Sequence, residues 1–442
     1  MSTANSKGLG LVQLTALATG QVIGAGVVTL VGGSIGLTGM SAWLAYAVAV
    51  LMGLCIIFPY ILLAGMIRVK GGNYTFVAAL LGDKWGGMYG MAFTMNVFAC
   101  GMFALSLGNY LAAIFPALNV RVVAIAAVTI FYIFNMLGVN FMSKIQTALS
   151  GILIVGLFLF IIIGLGHLRP EVFQVSNSDF FTNGAKGFLG GVVLLVFSCY
   201  GHVFVVAFSK EAVVPKRDVP FAMLITTGII FIIYTLIALV AAGVLPVTEV
   251  AGKPLTVVAR QIMSTPLYYA FIIGGPIMAL ATTLNSSLSV FARPFHQMTL
   301  DGWFPARLGS VNSRGAPYLI LTMMYLIAII PIALNFSIAV ITSNTVLIGR
   351  VSDIVAISAI LTLPKKLPDA WENRFIRVSR PAFYTIVVFC LCMTLFCIYL
   401  SIGNMPVSNV YATIGLVVVF FIYATLRQKT GKVVMQKSYD LQ

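Results

Sequence analysis

The chain has 442 residues, 60% of them hydrophobic and 8% charged, with 26 Lys and Arg against 11 Asp and Glu and a formal net charge of +15. A soluble domain carries roughly 25% charged residues, so this composition excludes a string of water-facing globular domains and makes lipid the solvent for most of the chain. The basic residues lie in short gaps between apolar stretches, which excludes a nucleic-acid-binding surface and suits the inner loops of a membrane protein.

In chain order, twelve apolar stretches cover about 10–37, 40–67, 85–115, 121–141, 145–166, 187–208, 219–245, 267–295, 317–334, 337–363, 381–402 and 408–426. Each is near or above the ~20 residues that cross a bilayer as a helix, and none shows the alternation of a barrel strand. The start, MSTANSKGLG, lacks a charged region and a small-residue cleavage site, so the first stretch is expected to stay as a span. The fold class expected is an all-α membrane protein of twelve transmembrane helices.

The first stretch contains Gly20, Gly24 and Gly26, then Gly32 and Gly33. The third contains Asn96 and Cys100, which share a helix face at i,i+4. The fifth has no charge from Ser150 to Ile163. The sixth is interrupted in mid-span by Ser198-Cys199-Tyr200-Gly201-His202. Breaks in the first and sixth spans, five apart, are the sequence signature of a transporter built from two inverted repeats. The domains follow: 1–166 as the first repeat, 187–363 as the second, 381–426 as two further spans, and 427–442 as a tail.

The tenth stretch carries Arg350 and Asp353, about 20 Å from its outer start at 1.5 Å per residue. They are i,i+3 and can neutralise each other, either as a structural ion pair or as a gate or coupling element. The six cysteines, 55, 100, 199, 390, 392 and 397, all fall within apolar stretches and are expected to be packing residues; no metal site or cofactor is expected.

With the first residues inside, the inner side collects Arg68, Lys70, Lys84, Lys144, Lys210, Lys216, Arg217, Arg293, Arg307, Arg314, the run 365–380 and the tail. The outer side collects only Arg121, Arg169, Lys186, Lys253 and Arg260. Both ends of the chain are therefore expected in the cytoplasm, and the protein in the inner, or plasma, membrane. The outer loops, about 167–186 and 246–266, are too short for a binding domain, so function must lie among the spans. His167, His202 and His296 are scattered without acidic partners nearby in sequence, and no HExxH, GxSxG or P-loop occurs, which argues against an enzyme. A channel or receptor would want a repeated filter or a large soluble domain.

Four motifs carry a resemblance. Span one reads Gly20-Gln-Val-Ile-Gly24-Ala-Gly26-Val; Gly71-Gly72-Asn73-Tyr74 follows span two. Phe197-Ser-Cys-Tyr-Gly201 precedes Lys210-Glu211-Ala-Val-Val-Pro215-Lys-Arg217-Asp-Val-Pro220; Arg293 and Asp301-Gly302-Trp-Phe-Pro305 come after span eight. In this order the chain resembles the amino acid–polyamine–organocation transporter superfamily, including its arginine–agmatine exchanger and L-type amino-acid transporter branches. The resemblance implies a LeuT-like 5+5 inverted repeat with helices 1 and 6 broken. It also implies transport of an amino acid by alternating access, with the bilayer and a small-molecule substrate as partners and a monomer or homodimer as the assembly.

It further implies a substrate site at Val22, Ile23, Gly24, Ala25, Gly26, Phe197, Ser198, Tyr200, Gly201 and His202. Unwinding at Gly24-Ala25-Gly26 would present backbone N–H groups to a carboxylate, while carbonyls of Val22, Phe197 and Tyr200 would face an ammonium. Phe197 would be the lid. Asn96 and Cys100 would face the site, with Ser287 where the exchanger has a tryptophan; Asn96 could equally join two helices. His202 could line the pocket or satisfy freed carbonyls.

The chain departs from the family at Leu62, Val203 and the uncharged span five, where relatives carry acidic or lysine side chains. These departures remove the usual proton or cation carrier and predict an exchanger of small or medium neutral amino acids. The alternative is a proton- or sodium-coupled symporter, with Thr282, Thr283, Ser286 and Ser287 able to offer hydroxyls to sodium. No acidic residue is expected near the pocket, which disfavours cationic substrates.

Overall fold

A computed structural model of the chain describes residues 8–24, 26–69, 71–336, 338–402, 406–435 and 439–441. The first half contains α1 (Leu11–Val22), α2 (Val31–Thr38), α3 (Ala42–Ala64), α4 (Asn73–Leu81), α5 (Asp83–Thr94), α6 (Ala99–Ile114), α7 (Val120–Met136) and α8 (Val139–Leu165). Then come α9 (Gly184–Val196), α10 (Pro215–Gly243), α11 (Val247–Val250), α12 (Thr256–Ile262), α13 (Thr265–Ile272), α14 (Met278–Leu300), α15 (Tyr318–Ala333) and α16 (Ile338–Leu361). The short α17 (Leu363–Lys366) and α18 (Pro368–Glu372) precede α19 (Arg380–Ile402) and α20 (Val407–Lys429). Two three-residue strands, β1 (Ile67–Val69) and β2 (Tyr439–Leu441), pair antiparallel.

Among the described residues, eight helices are long and apolar enough to cross a membrane, and α1, α7 and α15 are shorter apolar helices. The protein is an all-α membrane protein. Local chemistry sets several boundaries. Asn119 caps α7, its Oδ1 accepting from the amides of Arg121 (3.0 Å) and Val122 (3.3 Å). Pro215 opens α10 at the first turn, where no amide partner is needed.

The interior helix is α1. It packs against α8, α10 and α14 and against the stretch after α9, while α3 packs on α9, α10 and α19. Helix α16 packs on α5, α6 and α19. α20 buries only Thr413 and Ala424 among its described residues, leaving Val418, Val419 and Ile422 exposed as a surface for lipid.

Three of the four motifs meet at one end of the bundle. The Tyr74 hydroxyl donates to Asp301 Oδ2 at 2.8 Å and accepts from Trp303 Nε1 at 2.7 Å, while Gln297 Nε2 donates to Asp301 Oδ1 at 2.8 Å. Burial, then the neighbouring Asp301 carboxylate, pushes the Tyr74 phenol well above its ordinary pKa, so it keeps its proton. Arg293 pairs with Glu211 and lies 4.1 Å from the centre of the Phe208 ring. The segment after α20 covers this cluster: Arg427 donates to Gly302 O at 2.9 Å, and the Val434 amide to Asp301 O at 3.0 Å.

Candidate functional site

Helix α1 stops at Val22. Ile23 takes φ −82° and ψ 88°, outside the helical region, and the Gly24 amide turns back to Val22 O at 3.1 Å. Helical hydrogen bonding resumes as a π-turn over Gly26–Leu30, which leads into α2. The second interruption follows α9: Phe197–Cys199 and Gly201–Phe208 are 3₁₀-helical, with Tyr200 between them. A third lies between α5 and α6, where Met95–Phe98 is 3₁₀. Poorer hydrogen-bond geometry makes such stretches natural hinges.

The first two interruptions touch backbone to backbone. A Cβ on Gly201 would lie 2.4 Å from Gln21 O and 3.0 Å from Val22 Cα; a Cβ on Gly26 would lie 2.3 Å from Ser198 Cβ. Only glycine allows that approach. Each break thus supplies a glycine to contact the other. Two tyrosines brace the contact. The Tyr234 hydroxyl shares its hydrogen between Val22 O (2.8 Å) and Ser198 O (3.4 Å), and Tyr46 Oη is 2.9 Å from Ser198 Oγ. The Val22 carbonyl, expected to await an ammonium, already accepts from Tyr234.

Beside this contact is a cavity of roughly 120 Å³. Its walls come from α1, all three interrupted stretches, α5, α6, α14 and α16. Phe93, Phe204 and Phe291 form its floor, their ring centres 5.4, 5.4 and 6.0 Å apart and edge to face. One turn further along the same elements, a second space of about 430 Å³ is lined by Ala207, Lys210, Glu211, Ala292 and Arg293. The first cavity also carries charge. Arg350 Nη1 donates to Asp353 Oδ2 at 3.2 Å, the Tyr200 hydroxyl donates to Oδ1, and the guanidinium lies 4.7 Å from the Tyr200 ring centre.

The amino acid permease family model matches residues 9–425. The chain belongs to the amino acid permease family. It is 25% identical to the cadaverine/lysine antiporter of Escherichia coli (strain K12) over 423 residues, covering 92% of this chain and 91% of that protein. It is 25% identical to the branched-chain amino acid permease BcaP of Bacillus subtilis (strain 168) over 460 residues, covering 96% and 94%. It is 28% identical to the vacuolar cationic amino acid transporter 4 of Arabidopsis thaliana over 338 residues, covering 70% and 55%. The chain is an integral, multi-pass amino-acid transporter.

In this permease, Val22, Gly24, Gly26, Asn96, Phe197, Ser198, Tyr200, Gly201, Arg350 and Asp353 line one cavity. Ala25 lies outside the described residues. Ile23, Cys100, His202 and Ser287 are fully buried but off the lining. His202 neither lines the cavity nor caps a carbonyl: its Nε2 is 3.0 Å from Thr227 Oγ1, whose own hydrogen goes to Met223 O at 2.9 Å. Ser287 accepts from Gln21 Nε2 at 3.1 Å, in the seam between α1 and α14. Asn96 donates to Phe93 O at 2.8 Å, and its Oδ1 lies 3.2 Å from where a Cβ on Gly349 would be. It lines the cavity and meets α16 at the same time.

A further expectation is corrected. The pocket was expected to lack acidic residues, yet Asp353 is on its wall. Position along span ten gives depth but not the side the helix presents, and only the packing of α16 on α5 and α6 brings Asp353 to the site. Sequence reading also missed Gln21, Phe93, Phe204 and Phe291, and singled out Thr283 only as a hydroxyl for sodium. The 3₁₀ turn at Met95–Phe98, which carries Asn96, has no glycine or proline to announce it.

Proposed function

We propose that this permease is an alternating-access exchanger of small to medium-sized amino acids. Twelve spans would be arranged as two inverted repeats, 1–166 and 187–363, with the 381–426 pair outside them, in the inner membrane with both ends cytoplasmic. The observation that carries this reading is the reciprocal contact of the two helix breaks, Gly26 on Ser198 and Gly201 on Gln21 and Val22, beside a cavity that both breaks line. Inverted repeats that cross at their breaks would produce such a pairing, and backbone freed there is suited to the common α-carboxylate and α-ammonium of amino acids. The substrate would lie against Gly24 and Gly26, with Phe197 as its lid. The floor of Phe93, Phe204 and Phe291 would separate the cavity from the second space while the substrate is held.

Exchange is favoured by how the carboxylate on the cavity wall is engaged. The hydroxyls of Thr283, Ser286 and Thr282 donate to Gly20 O (2.9 Å), Gln21 Oε1 (2.6 Å) and Ala279 O (2.9 Å), which leaves their lone pairs free and makes an imposed sodium gradient part of the test. Asp353 is paired with Arg350 and Tyr200. A second reading, proton symport, draws on one observation: Asp353 is a carboxylate on the cavity wall. Proteoliposome flux separates the two. Exchange requires labelled amino-acid uptake that depends on unlabelled amino acid inside and ignores imposed sodium or pH gradients. Concentrative uptake into empty vesicles driven by a pH gradient would establish symport instead.

A further inference from the structure

The cavity wall holds one cation and one anion, and the other described lining residues are uncharged. Both charges sit on α16, three residues apart, with Arg350 6% and Asp353 7% exposed. Two charges on one rigid helix move together. Displacing α16 against its neighbours does not pull them apart, as it would for a pair reaching between helices. Tyr200, on the broken stretch after α9, holds both: its hydroxyl is on the carboxylate and its ring lies against the guanidinium. This is the geometry of a fixed charge balance, not of a gate that opens and closes.

We propose that Arg350 sets the substrate charge class of this carrier: by neutralising Asp353 it excludes cationic side chains and diamines and leaves amino acids with uncharged side chains. This rests on the reading of the cavity as an amino-acid site. An unpaired carboxylate on a low-dielectric wall would draw in an ammonium group strongly. With Arg350 in contact, the carboxylate's charge is cancelled, and a second cation would meet the guanidinium as well. Elsewhere the wall offers mainly apolar surface, including Phe93, Phe103, Phe197, Phe204 and Phe291. A lysine ε-ammonium, or the second ammonium of a diamine, would then be buried without a counter-charge, which is unfavourable. An apolar or small side chain incurs no such cost.

The test is a ligand-induced thermal-shift and flux panel of the twenty amino acids and cadaverine. It is run on the purified wild-type carrier, on Arg350→Gln and on the Arg350→Gln/Asp353→Asn double variant. The wild type should prefer uncharged side chains over lysine and cadaverine by at least tenfold, about 1.4 kcal/mol. Arg350→Gln should gain at least tenfold in lysine or cadaverine binding. The double variant, which lacks the unpaired carboxylate, should lose that gain. A wild type that binds lysine or cadaverine as tightly as its best neutral ligand overturns the proposal without any variant. So does a folded Arg350→Gln that keeps the wild-type order, or a folded double variant that keeps the gain in lysine or cadaverine binding. Should Arg350→Gln fail to fold, Arg350→Met, which keeps the length of the side chain without its charge, takes its place in the panel. A wild type that neither binds nor moves any of the panel defeats the amino-acid reading itself, an outcome distinct from failure of the charge assignment.

Discussion

The α-carbon of Gly201 sits against the carbonyl of Gln21, so close that a Cβ would lie 2.4 Å from the oxygen. That oxygen is backbone on the interior helix and cannot swing aside as a side chain could. Gly201→Ala must push the two broken helices apart, and overpacking of this kind costs about 1–3 kcal/mol. The variant should still insert in the membrane, with a lowered melting temperature and uptake lost or nearly so. Wild-type uptake by Gly201→Ala would show that the contact of the two breaks is not part of the transport cycle.

Phe197 is half-buried at the end of α9 and lines the cavity. A lid completes the closed state and excludes water, so its loss acts on the transport step more than on folding. Phe197→Ala should lower turnover at least tenfold, about 1.4 kcal/mol in the barrier, with expression near wild type. Initial rates of counterflow at saturating substrate measure it. Unchanged turnover would leave Phe197 as packing alone.

Tyr74 links two segments more than two hundred residues apart through one oxygen, donating to Asp301 and accepting from Trp303. Tyr74→Phe removes that oxygen and leaves the buried Trp303 N–H without this acceptor and Asp301 with one donor fewer. Stranding such groups costs about 1–3 kcal/mol, toward the upper end when one is a carboxylate. Thermal unfolding in detergent should show the loss, while substrate affinity at the cavity stays the same. A large fall in affinity with unchanged stability would move Tyr74 from scaffold to binding site.

How much of this was legible beforehand depends on the range of the interaction involved. The interruption at Gly24–Gly26 was readable because glycine acts locally through its own backbone. The one at Ser198–Gly201 was readable because polar residues in mid-span need partners that an unbroken apolar helix does not supply. The third, at Met95–Phe98, was not, because nothing in Met-Asn-Val-Phe disfavours an α-helix and the 3₁₀ geometry comes from its surroundings. The motif residues Tyr74, Asp301 and Trp303 stood out in sequence, yet their mutual bonds did not, since no spacing rule joins partners 229 residues apart.

Composition and apolar length by themselves determined that this is a helical membrane protein, because a chain with 8% charged residues has no stable arrangement in water. The positions of the two glycine-bearing breaks were likewise a property of the sequence. What only the tertiary structure decided is where each helix turns its faces. His202 was turned toward Thr227 and away from the cavity, and Ser287 was drawn into the seam with Gln21. Asp353, with Arg350 and Tyr200, was brought onto the cavity wall. The physical reason is that a helix packed within a membrane bundle has no water-facing side to fix its rotation. In lipid that rotation is set by side-chain packing and a few hydrogen bonds to distant helices.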